Sequence, residues 1–182
     1  MGDTDDALVL QVARGDKLAF ARLVERHGAR LTALAVRIVG SRAVAEEIVQ
    51  ETFTRAWVTA PNWRNKGELG RAFSAWLTRV ATNLAIDQVR KPRSLPIEDA
   101  PEPADPAQAA VDVLIAGEKL ARLKAALAGL PQRQRAAIAL TYDQGLSNAE
   151  GAAALETSVG AFELLLVRAR RTLRAAMMED EA

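Results

Sequence analysis

A chain of 182 residues, 49% of them hydrophobic and 26% charged, has an ordinary globular composition and is long enough for one domain or two small ones. Cysteine is absent and His27 is the single histidine, which excludes disulfide scaffolds, thiolate metal sites and Cys–His catalysis, and the 11 glycines form no phosphate-cradling loop. The net charge of +1 conceals segregation, with +4 over residues 1–92, −4 over 93–117 and +1 over 118–182, a balance that suits weak unaided affinity for DNA.

No run approaches the roughly 18 apolar residues of a membrane span, and the opening MGDTDDALV is acidic where a secretory signal needs positive charge. A cytoplasmic protein without membrane insertion is expected. Apolar residues recur at helical spacing almost throughout and no run alternates with period two, so the expected fold is all-α.

The first expected helix runs from Asp16 to Val39, with Phe20, Leu23, Val24, Leu31, Leu34, Ala35 and Ile38 facing inward and Gly40 ending it. Ser41 caps a second helix to about Val58. A polar loop, Pro61 to Gly67, precedes a third helix from about Glu68 to Lys91, which Pro92 stops. Residues Pro92 to Pro106 hold five of the seven prolines and little to bury, which reads as an extended acidic linker. A helix resumes near Ala107, and Pro131 starts another. The expected domains are therefore 1–91 and 118–182, with 92–117 as a flexible tether.

Near the C-terminus, Ser147 followed by Glu150 forms a capping box that opens a short helix to about Leu155, and Thr157 or Ser158 caps the next. The turn between them spans only Glu156 to Ser158. The pair reads as a helix-turn-helix. In its second helix Phe162, Leu165, Leu166, Ala169 and Leu173 share one arc and should pack inward. The opposite arc holds Gly160, Leu164, Val167, Arg168 and Arg171, with Arg174 at its edge, and is the face expected to meet DNA; Ser158 and Glu163 join it at the helix start. Leu164 and Val167 are anomalous there. They could touch thymine methyls or be covered by a protein partner when DNA is absent, and the second reading is preferred.

With AEEIVQETFTRAW (Ala45 to Trp57), FSAWLTRVATNLAIDQVRK (Phe73 to Lys91), the proline-rich segment and LPQRQRAAIALTYDQGLS in order, the chain resembles the extracytoplasmic-function sigma factors of bacterial RNA polymerase. The resemblance covers roughly Asp16 to Lys91 and Leu120 to Arg174. It implies that the helix carrying Glu47, Gln50, Glu51, Thr54 and Arg55 docks on the clamp helices of core polymerase through that polar face. It implies that the loop residues Asn62, Trp63, Arg64, Asn65 and Lys66, with Arg79, Asn83 and Arg90 on the third helix, engage the −10 element and hold an unpaired base. Trp63 has a second reading as an anchor of its loop, and Trp76 is expected to be buried.

By the same resemblance the C-terminal helices read the −35 element, although Glu163, Leu164 and Leu165 stand where many members have Lys, Ser or Arg, and Gly151 replaces a bulky apolar residue. Core polymerase, promoter DNA and an anti-sigma factor are the implied partners; no cofactor or metal is expected. Two other classes fit part of the pattern: a free-standing helix-turn-helix regulator, and a decoy that binds an anti-sigma factor without promoter function. An enzyme fits least, because Glu46, Glu47 and Glu51 cluster on an exposed helix without metal-ligand company.

Overall fold

The computed structural model describes residues 3–63, 72–90 and 112–178, and among these every regular element is helical. The all-α expectation holds. Helix α1 spans Asp5–Val12, α2 Lys17–Val39, α3 Arg42–Thr59 and α4 Ala72–Arg90, with a 3₁₀ turn at Ala60–Asn62. In the C-terminal half α5 spans Asp112–Gly129, α6 Gln132–Ile138, α7 Asn148–Ala154 and α8 Val159–Met178, with a π-helical turn at Ala139–Asp143 after α6.

Local chemistry sets most boundaries. The Asp16 carboxylate accepts from the backbone N–H of Leu18 at 2.8 Å and of Ala19 at 3.1 Å, satisfying donors that the first turn of α2 leaves free. Gly40, at φ +77°, ends α2 in the left-handed region, and Ser41 then caps α3. The Ser147–Glu150 capping box is present in both directions: the Ser147 backbone N–H donates to Glu150 Oε2 at 2.9 Å, and Ser147 Oγ accepts from the Glu150 N–H at 3.3 Å. Ser158, rather than Thr157, caps α8 through the Ala161 N–H at 3.2 Å.

Helix α1 was not anticipated. Eight residues are too few for an isolated helix, so its existence depends on packing. Leu8 and Val9 are fully buried against the bundle, and Asp5 accepts from Arg26 Nη1 at 2.6 Å and from His27 Nε2 at 2.8 Å. On the expected inward face of α2, Phe20 is half-buried and packs against Phe53 and Trp57, whereas Val24 is a correction: it is exposed because it stands at the lip of an apolar groove between α2 and α3. Helix α5 begins by Asp112, inside the span expected to be tether, while 91–111, which hold most of that span, lie outside the described residues.

The bundle α1–α4 and the group α5–α8 pack against each other. Helix α6 lies against α2 and α4, and α7 lies on α4. Arg135 donates through Nη1 to the Ile38 carbonyl at 2.9 Å and through Nη2 to the Leu130 carbonyl at 3.0 Å, so one guanidinium closes the end of α2 and the loop before α6 together. Arg37 and Asp143 form a second link, Nε to Oδ2 at 2.9 Å.

Candidate polymerase and nucleic-acid interfaces

On α3 the apolar positions Ala45, Ile48, Val49, Phe53 and Ala56 are buried, and Glu47, Gln50, Glu51, Thr54 and Arg55 are all exposed. That division follows from the 3.6-residue period. Glu51 accepts from Arg55 Nε at 2.8 Å one turn on, which orders the charged face. The face is not uniformly polar, however. Gln50 and Thr54 border the groove floored by Phe20, Val49 and Phe53, a feature that burial patterning alone did not disclose because its walls come from two helices.

The expected −10 residues separate into three groups. Arg64, Asn65 and Lys66 lie outside the described residues. Asn62 is exposed at the end of the 3₁₀ turn, whereas Trp63 is half-buried with its ring edge-on to Phe73, 5.3 Å away, and to Trp76, 5.9 Å away. Trp63 therefore packs edge-on against two rings of α4 and keeps part of its surface open to solvent. Trp76, expected to be buried, is half-buried and stacked on Phe73 at 6.0 Å. On α4, which α7 contacts, Arg79 and Arg90 are exposed and Asn83 is half-buried. Arg79 Nε stands 3.8 Å from Glu156 Oε1, in the turn of the helix-turn-helix. Glu156 was missed as a contact residue; its only local signal is its place in a tight turn, where its φ is +49°.

On α8, Phe162, Leu166 and Ala169 are buried and Leu165 and Leu173 half-buried, while Ser158, Gly160, Glu163, Leu164, Val167, Arg168, Arg171 and Arg174 are exposed. The two arcs fall as the periodicity predicts. Leu164 and Val167 remain 48% and 59% exposed, so neither is sequestered within the chain. Two neighbours were not foreseen: Asn148 Nδ2 donates to Glu163 Oε1 at 3.0 Å across from α7, and Arg170 Nε donates to Tyr142 Oη at 2.9 Å.

Two family models match the chain. A sigma-70 region 2 model matches residues 23–94, and a sigma-70 region 4 model matches 120–173. Over 182 aligned residues the chain is 30% identical to the ECF RNA polymerase sigma factor SigW of Bacillus subtilis, taking in 94% of this chain and 95% of that one. The chain belongs to the ECF sigma factors. Sigma factor CnrH of Cupriavidus metallidurans is 32% identical, over 98% of this chain and 96% of that one. The solved structure of CnrH in complex with the cytosolic domain of CnrY superposes with a TM-score of 0.71 at 31% identity, covering 98% of this chain and 99% of CnrH. Sigma factor RpoE of Bartonella quintana, solved with the anti-sigma factor NepR, gives a TM-score of 0.65 at 25% identity, over 88% and 98% of the two chains.

In this sigma factor the region 2 match begins at residue 23, part-way along α2, so α1 lies outside it. The region 4 match takes in α6, the π-helical turn, α7 and most of α8. No helix among the described residues is long and apolar enough to cross a membrane.

Proposed function

We propose that this sigma factor is the promoter-specificity subunit of RNA polymerase, directing core enzyme to promoters and helping to open the −10 element, and that an anti-sigma factor restrains it. The observation that carries the reading is the coexistence, on one chain, of a solvent-facing polar side of α3 and a solvent-facing outer arc of α8. Each belongs to a different family region, and neither is used up by the chain's own core.

Residues 1–91 form the module for polymerase and the −10 element, 118–182 the module for the −35 element, and 92–117 the tether, whose last residues from Asp112 onward already belong to α5. Glu47, Gln50, Glu51, Thr54 and Arg55 contact core polymerase. Asn62, Trp63, Arg64, Asn65, Lys66, Arg79, Asn83 and Arg90 meet −10 DNA. Ser158, Gly160, Glu163, Leu164, Val167, Arg168 and Arg171 meet −35 DNA. Tethering to polymerase supplies the avidity that a net charge of +1 does not. Restraint by an anti-sigma factor is supported by the two relatives solved with CnrY and NepR. This reading makes the protein a transcription factor without covalent chemistry of its own, acting in the cytoplasm where polymerase works.

Co-elution with bacterial core polymerase followed by run-off transcription tests the proposal. Specific transcripts should require this chain, and Gln50→Ala with Arg55→Ala should reduce co-elution. Tight promoter binding by the free chain, undiminished without polymerase, would instead favour a free-standing regulator. Core binding with no transcript from any template would favour a decoy.

A further inference from the structure

Residues 159–167, the N-terminal half of α8, contain no lysine, arginine, asparagine or glutamine; Glu163 is their one polar, charged side chain and Arg168 the first cation after it. If α8 enters the major groove by this end, its only side chain there able to hydrogen-bond base edges strongly is a carboxylate. Glu163 is exposed, and among the described residues no cation pairs with it. Its position is set from the neighbouring helix. Asn148, the first residue of α7, donates Nδ2 to Glu163 Oε1 at 3.0 Å. The opposite amide orientation would set oxygen against oxygen, so the chemistry of the pair selects this one.

A carboxylate only accepts hydrogen bonds. Guanine presents two acceptors in the major groove and thymine an acceptor beside a methyl group, so both repel it. Adenine offers an amino donor next to the N7 lone pair, whereas cytosine offers its N4 amino group alone. We propose that Glu163 is a specificity-determining residue for the upstream promoter element, accepting a hydrogen bond from the N4 amino group of a cytosine, with Asn148 as the residue that positions it. The inference rests on the reading of α8 as the −35 helix and adds the base that it selects. A negative charge near phosphates lowers general DNA affinity, so this device discriminates at the expense of binding strength and works in a subunit that polymerase already holds on the promoter.

The test uses the full chain assembled with bacterial core polymerase and a pool of randomised duplexes, with bound molecules recovered and sequenced. The wild type should enrich a cytosine at one upstream position by about tenfold over the other bases, in keeping with one good base contact. Glu163→Gln should move that single preference toward adenine, because a carboxamide both donates and accepts, and leave the other positions unchanged. Asn148→Ala should weaken the same preference several-fold without redirecting it. If Glu163→Gln raises recovery uniformly with no change in base preference, the carboxylate merely repels the backbone and the proposal is overturned. An upstream element without any Glu163-sensitive cytosine also overturns it while leaving the −35 reading intact. No enriched upstream element in the wild type overturns both.

Discussion

A β-carbon added at Gly151 would lie 2.3 Å from Cζ of Phe162 and under 3 Å from two more atoms of that ring. The glycine costs about 1 kcal/mol of helix propensity relative to alanine, but it makes the seat for a fully buried phenylalanine, whose burial stabilises by about 1.5–3 kcal/mol. The apparent defect in α7 and the large residue on α8 are therefore one volume exchange. Gly151→Ala should destabilise the protein by about 1–2 kcal/mol, since overpacking outweighs the propensity gain, and Phe162→Leu in the same chain should recover part of the loss in urea unfolding. His27 is a second residue whose behaviour is set by its surroundings. Burial pulls its pKa below the ordinary value of 6.5, against the opposing attraction of Asp5, with Arg30 and Arg26 adding to the depression. A base with a depressed folded pKa contributes stability that is complete above 6.5 and is lost as pH falls through the folded value. Melting temperature should therefore drop more between pH 7.5 and 5.5 in the wild type than in His27→Gln, whose amide keeps a donor toward Asp5 without titrating; equal drops would contradict this.

Among the elements, α7 and the turn after α6 contrast in how far local sequence defines them. Helix α7 has only seven residues, yet its start was legible because Ser147 and Glu150 satisfy each other's backbone groups without help from elsewhere. Ser147→Ala should cost about 1 kcal/mol in urea unfolding, and a negligible change would mean that packing alone holds the helix. The π-helical turn at Ala139–Asp143 carried no such signal. It buries Ala139 and Leu140 while leaving Tyr142 exposed and Asp143 directed to Arg37, an outcome imposed by contacts that lie far away in the chain. Helix α1 was hidden for the same reason: Leu8 and Val9 show no long period, and their partners are on other helices. The place of Trp63 beside Phe73 and Trp76 likewise had no local signal.

For the molecule as a whole, the arrangement of the two helical groups sets one expected DNA contact, Arg79, against the other group's Glu156. The polar links Arg37–Asp143, Arg79–Glu156 and Arg135–Ile38 cross between the groups, and they differ in worth. Arg37–Asp143 is partly exposed and belongs to a class that contributes about 0–1 kcal/mol. Arg79–Glu156, at 3.8 Å and more exposed, contributes less. The Arg135 bond to the Ile38 carbonyl is charge-assisted and partly buried, in a class that contributes about 1.5–3 kcal/mol, and burial depresses the guanidinium pKa only because water has been removed from around it. Arg135→Met, which keeps the apolar stem, should accordingly raise the radius of gyration in small-angle X-ray scattering more than Arg37→Ala does. The reverse order would show that the peripheral ion pair holds the groups together.

Periodicity, caps and the order of motifs determined by themselves that this chain is all-helical, which faces of α3 and α8 point outward, and which family it resembles, because each of those properties repeats within a few residues or lies in the string itself. The packing of α1, the π-helical turn, the seat of Phe162 over Gly151, the Asn148–Glu163 pair and the contact of α7 with α4 were decided only by the tertiary structure. Each joins residues on different helices, and a one-dimensional pattern holds no information about which distant side chain will occupy the space beside a given one.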